Sequence, residues 1–218
     1  MKPIVIFGTG DFSDIVTELV ERDLKREVVG YVVDDDYYKI GTYNNKSVIP
    51  LSKLVNCYPP SSFTVVLGFI GNKMFTHRRE KFNLLVKLGY SMENLIHPSA
   101  VISSKRIGVG NIILENCVIG YFSQIGDGNI LWPLSSINHH NSIGSFNNFS
   151  PSVSTSGGVT IGDCCFLGNN STYKNKVTVA NYTLVGAGTY IYKDTEEYGV
   201  YVPKRFVKLD RKSTEFNI

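Results

Sequence analysis

Cysteine, histidine and tryptophan are scarce in this chain, at four, four and one among 218 residues. The cysteines, Cys57, Cys117, Cys164 and Cys165, follow no zinc-module spacing, which excludes a zinc finger and predicts reduced thiols in core or turn positions. Charge is also sparse. Charged residues are 19% of the chain and the formal net charge is +3, which supplies no basic stripe and argues against a nucleic-acid partner. No apolar run approaches the ~18 residues that a membrane span needs. The first residues, MKPIVIFGTGD, lack the charged start, apolar middle and cleavage site of a secretory signal, so the expected location is cytoplasmic. With 43% hydrophobic residues, the chain has enough apolar material for a core.

What is present falls into two halves. Residues 1–98 alternate strand and helix signals. PIVIFG (Pro3–Gly8) is an apolar run closed by glycine, and Phe12, Ile15, Val16, Leu19 and Val20 follow the spacing of one helix face. EVVGYVVDD (Glu27–Asp35) and FTVVLGFI (Phe63–Ile70) read as further strands. A helix is predicted from about Met74 to Leu88, stopping at Gly89. This order predicts a small Rossmann-like βαβ domain with a parallel sheet.

From residue 99 to 218 the period changes to six. Val101, Ile107, Ile113, Ile119, Ile125, Leu131, Ile137 and Ile143 begin a series that continues to Ile191. Thirteen of its sixteen positions are Val, Ile or Leu, the exceptions being Phe149, Thr155 and Tyr173. This is the hexapeptide repeat of a parallel β-helix. Three units close a triangular coil, so residues eighteen apart stack, and sixteen units give about five coils.

The stacking gives the stretch SSINHHNSIG its interest. Ile137 points inward, so His139 and His140 lie on the corner that follows. Eighteen residues on are Gly157 and Gly158, and eighteen back are Tyr121 and Phe122. Coils lie about 4.8 Å apart. The count therefore puts a histidine pair on an aromatic floor beneath a backbone ledge without side chains. An imidazole can accept a proton at neutral pH, and a glycine N–H can hold an oxyanion. Base and oxyanion donor together suit acyl transfer. The alternative is two corner histidines on a solvated or subunit-contact surface.

Together these features resemble the left-handed β-helix acyltransferases, and more closely the NeuD/PglD-like sugar acetyltransferases. The pieces that carry the resemblance span almost the whole chain: VIFGTGDFSDIV, VVGYVVDDD, LGFIGNKMFTHRREKF and NLIHPSAVIS, then INHHNSIG, GGVTIGDCCFLGNNS and LVGAGTYIYKD. The resemblance implies a left-handed β-helix, a homotrimer, and acetyl-CoA bound between neighbouring β-helices. It implies that His139 is the base and that the oxyanion donor is the N–H of Gly157, in agreement with the count of eighteen. Relatives often carry a carboxylate beside the base; here Asn138 and His140 flank it, and either could orient it or touch substrate. A second family histidine, nine positions on, often contacts ligand; that position is Asn148 here, which could orient the base or touch substrate but cannot itself be a base. Acetyl-CoA contacts are implied at Gly157, Asn169, Ala187 and Lys204. The ending GVYVPKRF departs from the fuller turn of many relatives.

The N-terminal half resembles the nucleotide-sugar-binding domain of these enzymes. GTGDFS follows the first strand and opens a helix, so backbone N–H groups at Gly8, Gly10 and Asp11 can hold a phosphate. Ser13 replaces the third glycine of the dinucleotide fingerprint, which makes an NAD site a poor fit. Asp35 and Asp36, in the run Asp34–Asp36, can accept from a nucleobase or ribose, or merely form a solvated turn. Gly71 and Asn72 are a further candidate loop.

The implied activity is acetyl-CoA-dependent N-acetylation of a nucleotide-linked 4-amino-4,6-dideoxy sugar, for bacterial surface polysaccharide, lipopolysaccharide or glycan synthesis. An enzymatic alternative is O-acetylation of sialic acid or another sugar hydroxyl. A non-catalytic sugar-nucleotide-binding scaffold is a third reading. A zinc-dependent β-helix hydratase needs three histidine ligands, and only His139 and His140 lie beyond Ala100, so no metal is expected.

Overall fold

The computed structural model describes residues 2–71 and 73–204. Asn72 and the tail from 205 onward lie outside the described residues. The chain opens with strand β1 (Ile4–Phe7), helix α1 (Asp11–Glu18) and strand β2 (Val28–Val33). A π-helical turn, Leu19–Asp23, extends α1. Strands β3 (Thr42–Tyr43) and β4 (Lys46–Pro50), the short helix α2 (Leu54–Cys57), strand β5 (Thr64–Leu67) and helix α3 (Thr76–Lys87) complete this half. The sheet order is β3-β4-β2-β1-β5. All pairs are parallel except β3 with β4.

The sequence reading anticipates β1, β2, β5 and the two longer helices but not the β3–β4 hairpin. Its turn residues, Asn44 and Asn45, both adopt positive φ (49° and 59°), as a two-residue hairpin turn requires. Helix α3 starts two residues later than expected, because Lys73, Met74 and Phe75 all take left-handed backbone conformations.

The second half is the β-helix. Two-residue strands stack into three parallel faces of seven, six and five strands. Face one runs from Leu95–Ile96 through Ile112–Ile113, Ile130–Leu131 and Asn148–Phe149 to Val200–Tyr201. Face two includes Val118–Ile119, Ser136–Ile137 and Ser154–Thr155, and face three includes Gln124–Ile125, Ser142–Ile143 and Thr160–Ile161. The first of these strands precedes residue 99, where the sequence places the change of domain. The inward column from Ile113 to Ile191 is buried and forms one continuous core. Buried asparagines clip successive coils together. The amide oxygen of Asn111 accepts from Asn129 N, that of Asn129 from Asn147 N, and that of Asn147 from Cys165 N, at 2.7–2.8 Å.

The register departs from the sequence reading at its start. Val101, expected in the inward column, is 56% exposed, and Ile102 packs on the core instead. Ile102 pairs with Ile119 while Ile107 pairs with Ile125, so the unit between them is one residue short. Two adjacent apolar residues made the choice ambiguous in sequence, and the short unit decides it.

The α/β half packs on face one. Ile112, Leu114 and Ile130 join its core with Phe12 and Val66, and Phe12 meets Trp132 at 5.4 Å between ring centroids. Phe146, Cys164 and Phe166 join a second cluster with Phe75 and Phe82. Arg78, 1% exposed, ties the halves together by donating to Leu67 O (3.1 Å), Phe69 O and Gly128 O (3.2 Å). Burial pulls its guanidinium below the ordinary arginine range, to about 9. Among the described residues no helix is long and apolar enough to cross a membrane.

Candidate active site

The corner between faces two and three carries the histidine pair. Each coil turns there with one residue at positive φ: Phe122 at 62°, His140 at 57°, Gly158 at 70° and Lys176 at 63°. The coils are laced by His140 N donating to Tyr121 O (3.0 Å), Gly158 N to His139 O (3.0 Å) and Lys176 N to Gly157 O (3.1 Å). Residues eighteen apart therefore stack as the repeat requires. The aromatic floor is present: the His140 ring lies 4.8 Å from the Phe122 ring, tilted by 34°.

The ledge is closer than counting alone could say. A Cβ at Gly157 would fall 2.3 Å from Cε1 of His139, 2.7 Å from Nε2 and 3.0 Å from Nδ1. The imidazole thus lies directly against the glycine backbone, and any side chain at this position would displace the ring. Among the described residues the Gly157 N–H has no hydrogen-bond partner, whereas the Gly158 N–H is spent on the coil. His139 Nδ1 lies 3.1 Å from His140 Nδ1, and the rings meet edge to face at 84°.

The other expected contacts separate. Asn138 does not reach His139, since its amide donates to Thr155 O (2.7 Å). Asn148, expected to meet ligand, is 2% exposed on the outward side of face one, towards the α/β half. Its amide oxygen accepts from Trp132 Nε1 (3.0 Å) and its nitrogen donates to Ser150 Oγ (3.2 Å), so the side chain is structural in this chain. Asn169, Ala187 and Lys204 are exposed. Asn169 O also accepts from Gly188 N at 2.8 Å, which holds that corner.

A second candidate site is a cleft of about 400 Å³ at the ends of β1, β2 and β5, with Gly8, Gly10, Asp34, Tyr37, Gly71 and His77 in its lining. Gly8 has φ of 122°, and a Cβ there would meet Ser13 Oγ at 3.0 Å and Gly68 O at 3.1 Å. Ser13, which breaks the dinucleotide fingerprint, is used structurally: its hydroxyl donates to Gly68 O at 2.8 Å. Gly8, Gly10 and Gly71 line the cleft, while Asp11, exposed at the first turn of α1, is not part of its lining.

The carboxylate in the cleft is Asp34, not Asp35 or Asp36. Asp35 accepts from Ser52 N (3.1 Å) and from the Ser52 hydroxyl, which holds its carboxyl below the usual range. Asp36 is exposed on the 3-10 turn Asp35–Tyr37. Asp34 pairs with Lys81 and lies 4.0 Å from His77 Nε2. The sequence reading missed His77, Lys81 and Phe69. Their signal was present in the spacing of His77 and Lys81, one turn apart on the predicted helix.

Among the described residues no cluster of three or more His, Cys, Asp or Glu could hold a metal ion. Burial pushes the thiols of Cys117 and Cys165 up to about 11 and about 12, and raises that of Cys164, so none is a nucleophile at neutral pH.

No protein-family model matches the chain. Solved structures do. The acetyltransferase domain of PglB from Neisseria gonorrhoeae is 25% identical, with a TM-score of 0.81 over 93% of this chain and 97% of that one. The same domain in complex with acetyl coenzyme A is 26% identical, with a TM-score of 0.75 over 87% of this chain and 92% of that one. PerB from Caulobacter crescentus, in complex with CoA and GDP-perosamine, is 24% identical, with a TM-score of 0.82 over 93% and 95%. In fold, in the order of its two halves and in sequence, the chain is similar to the PglB acetyltransferase domain, and so resembles the NeuD/PglD-like left-handed β-helix sugar acetyltransferases.

Proposed function

We propose that the chain is an acetyl-CoA-dependent N-acetyltransferase acting on the amine of a nucleotide-linked 4-amino-4,6-dideoxy sugar. The observation that carries this reading is the contact between Gly157 and the His139 imidazole. It sets a proton acceptor and an unpaired backbone N–H on one small patch, the two groups that attack on a thioester carbonyl requires.

In this mechanism the neutral amine attacks the thioester carbonyl carbon, forming the C–N bond. His139 takes the proton that the nitrogen sheds. The Gly157 N–H holds the negative oxygen of the tetrahedral intermediate. Collapse breaks the C–S bond, and the CoA thiolate recovers the proton from the His139 imidazolium. No acyl-enzyme is needed, and the raised, buried thiols near the coil core take no part.

The acceptor's nucleotide belongs in the cleft at Gly8, Gly10, Asp34 and Gly71. The glycine-rich start of α1 suits a phosphate, and Asp34 suits a nucleobase N–H or ribose hydroxyl. The α/β half covers face one, whereas the histidines sit on the edge between faces two and three, opposite it. In this reading an acceptor held in one chain's cleft meets the histidines of another copy. This supports the homotrimer that the family resemblance implies, with acetyl-CoA between β-helices at Gly157, Asn169, Ala187 and Lys204.

The test is incubation with acetyl-CoA and UDP-, dTDP- and GDP-linked 4-amino sugars, with products read by mass. Acetylation of one amine is the expected result. Acetylation of a sugar hydroxyl instead, or of nothing, would refute the amine assignment.

A further inference from the structure

We propose that His140 is the positioning residue for His139 and that it acts as a neutral hydrogen-bond acceptor. The inference rests on the reading of His139 as the base. Two Nδ1 atoms at 3.1 Å make a hydrogen bond only if one carries a proton and the other a lone pair. Two protons would repel, and two lone pairs would not bond. One proton must lie between the rings, and its owner decides which histidine has a bare Nε2.

If His139 Nδ1 holds the proton, its Nε2 is a lone pair and His139 is the base. If His140 holds it, His139 carries its proton on Nε2 and cannot accept another there. The ring under Gly157 is His139, so the bare Nε2 is useful only in the first arrangement. His140 then accepts at Nδ1 and keeps its own proton on Nε2.

Among the described residues no other side chain is hydrogen-bonded to His139. Asn138 is turned to Thr155. No Asp or Glu forms an ion pair with either histidine among the described residues. Phe122 packs under His140 and fixes its tilt without offering a lone pair. The nearest cation in the column, Lys176, lies over Gly158 in the coil above. Where a carboxylate would hold the base by charge, this chain holds it by geometry. A protonated His140 could not accept from His139, so the arrangement also requires His140 to stay neutral while the base works.

The variants separate packing from hydrogen bonding. His140→Phe keeps a ring on Phe122 and removes the acceptor. His140→Asp restores an acceptor, and Asp tolerates the positive φ of this position. With four histidines in the chain, ¹⁵N spectra of labelled protein can resolve each imidazole. In the wild type at neutral pH, His139 is expected with a protonated Nδ1 and a bare Nε2. His140→Phe should release this preference and lower kcat about 10–100-fold, the usual cost of losing an orienting partner. KM for acetyl-CoA should hold, and His140→Asp should recover most of kcat.

A protonated Nε2 on His139 in the active wild-type enzyme overturns the proposal, as does a His140→Phe variant with full kcat. The nitrogen spectrum needs no turnover. A chain that acetylates nothing yet shows the proton on His139 Nδ1 would sink the transferase reading while leaving the pairing intact.

Discussion

Replacing Gly157 by alanine should abolish most activity without unfolding the coil. The backbone at Gly157 is not in the left-handed region, so alanine brings no conformational strain there. The conflict is steric. The new methyl carbon would lie 2.3 Å from Cε1 and 2.7 Å from Nε2 of His139, where carbon contacts settle near 3.5–4.0 Å. Relief requires the imidazole or the coil to move by roughly 1 Å, and a displacement of that size in a reacting group costs on the order of 10²-fold.

Gly158→Asn is the control. Gly158 has φ of 70°, but Phe122, His140 and Lys176 hold the same conformation at the same corner without being glycine. A Cβ there meets only Lys176 Cγ, at 3.3 Å, and that side chain can yield. Turnover is measured with the amino sugar that the panel identifies, and folding by thermal melting. A Gly157→Ala enzyme within twofold of wild type, with an unshifted His139 spectrum, would refute the reasoning. So would equal losses in the two variants.

Other outcomes follow from the same geometry. His139→Ala should lower kcat by about 10²–10⁴-fold, the usual contribution of a general base, with an unchanged melting temperature because the side chain lies outside the coil core. Arg78→Ala leaves three carbonyl oxygens without their donor and a cavity between the halves. A loss of about 3 kcal/mol is expected, which thermal melting should show as a fall of about 6–12 °C. In native protein at neutral pH a disulfide thiol reagent should modify Cys57 alone. Burial raises the thiols of Cys117, Cys164 and Cys165, so they are protonated below pH 9 and also shielded. Four thiols should react after denaturation, and fast reaction of more than one in the native state would contradict the buried assignments.

The coil was legible in the sequence because one inward side chain per unit sits at a fixed step and nothing interrupts it from Ile107 to Ile191. The stacking of His139 under Gly157 followed from the same arithmetic. What the arithmetic could not give was distance: contact between the ring and the glycine, and the Nδ1–Nδ1 bond, depend on rotamers. The entry to the coil was illegible because Val101 and Ile102 are both apolar and the short unit that chooses between them carries no motif. The burial of Asn148 was not legible because a position in the repeat names a face but not its neighbour. Face one is covered by the α/β half, and Trp132 claims the amide. In the acidic run, Asp34 faces the cleft because β2 ends at Val33 and the chain then turns, sending Asp35 to Ser52.

We propose that His139 and Gly157 serve acetyl transfer to an amine on a nucleotide-linked sugar. The most direct measurement incubates the wild-type protein and His139→Ala with acetyl-CoA and the UDP-, dTDP- and GDP-linked 4-amino sugars, and reads the products by mass spectrometry. The expected result is N-acetylation of one sugar by the wild type and a loss of at least about 10²-fold in the variant. Equal acetylation by both proteins, or acetyl transfer to none of the amines, would contradict the claim.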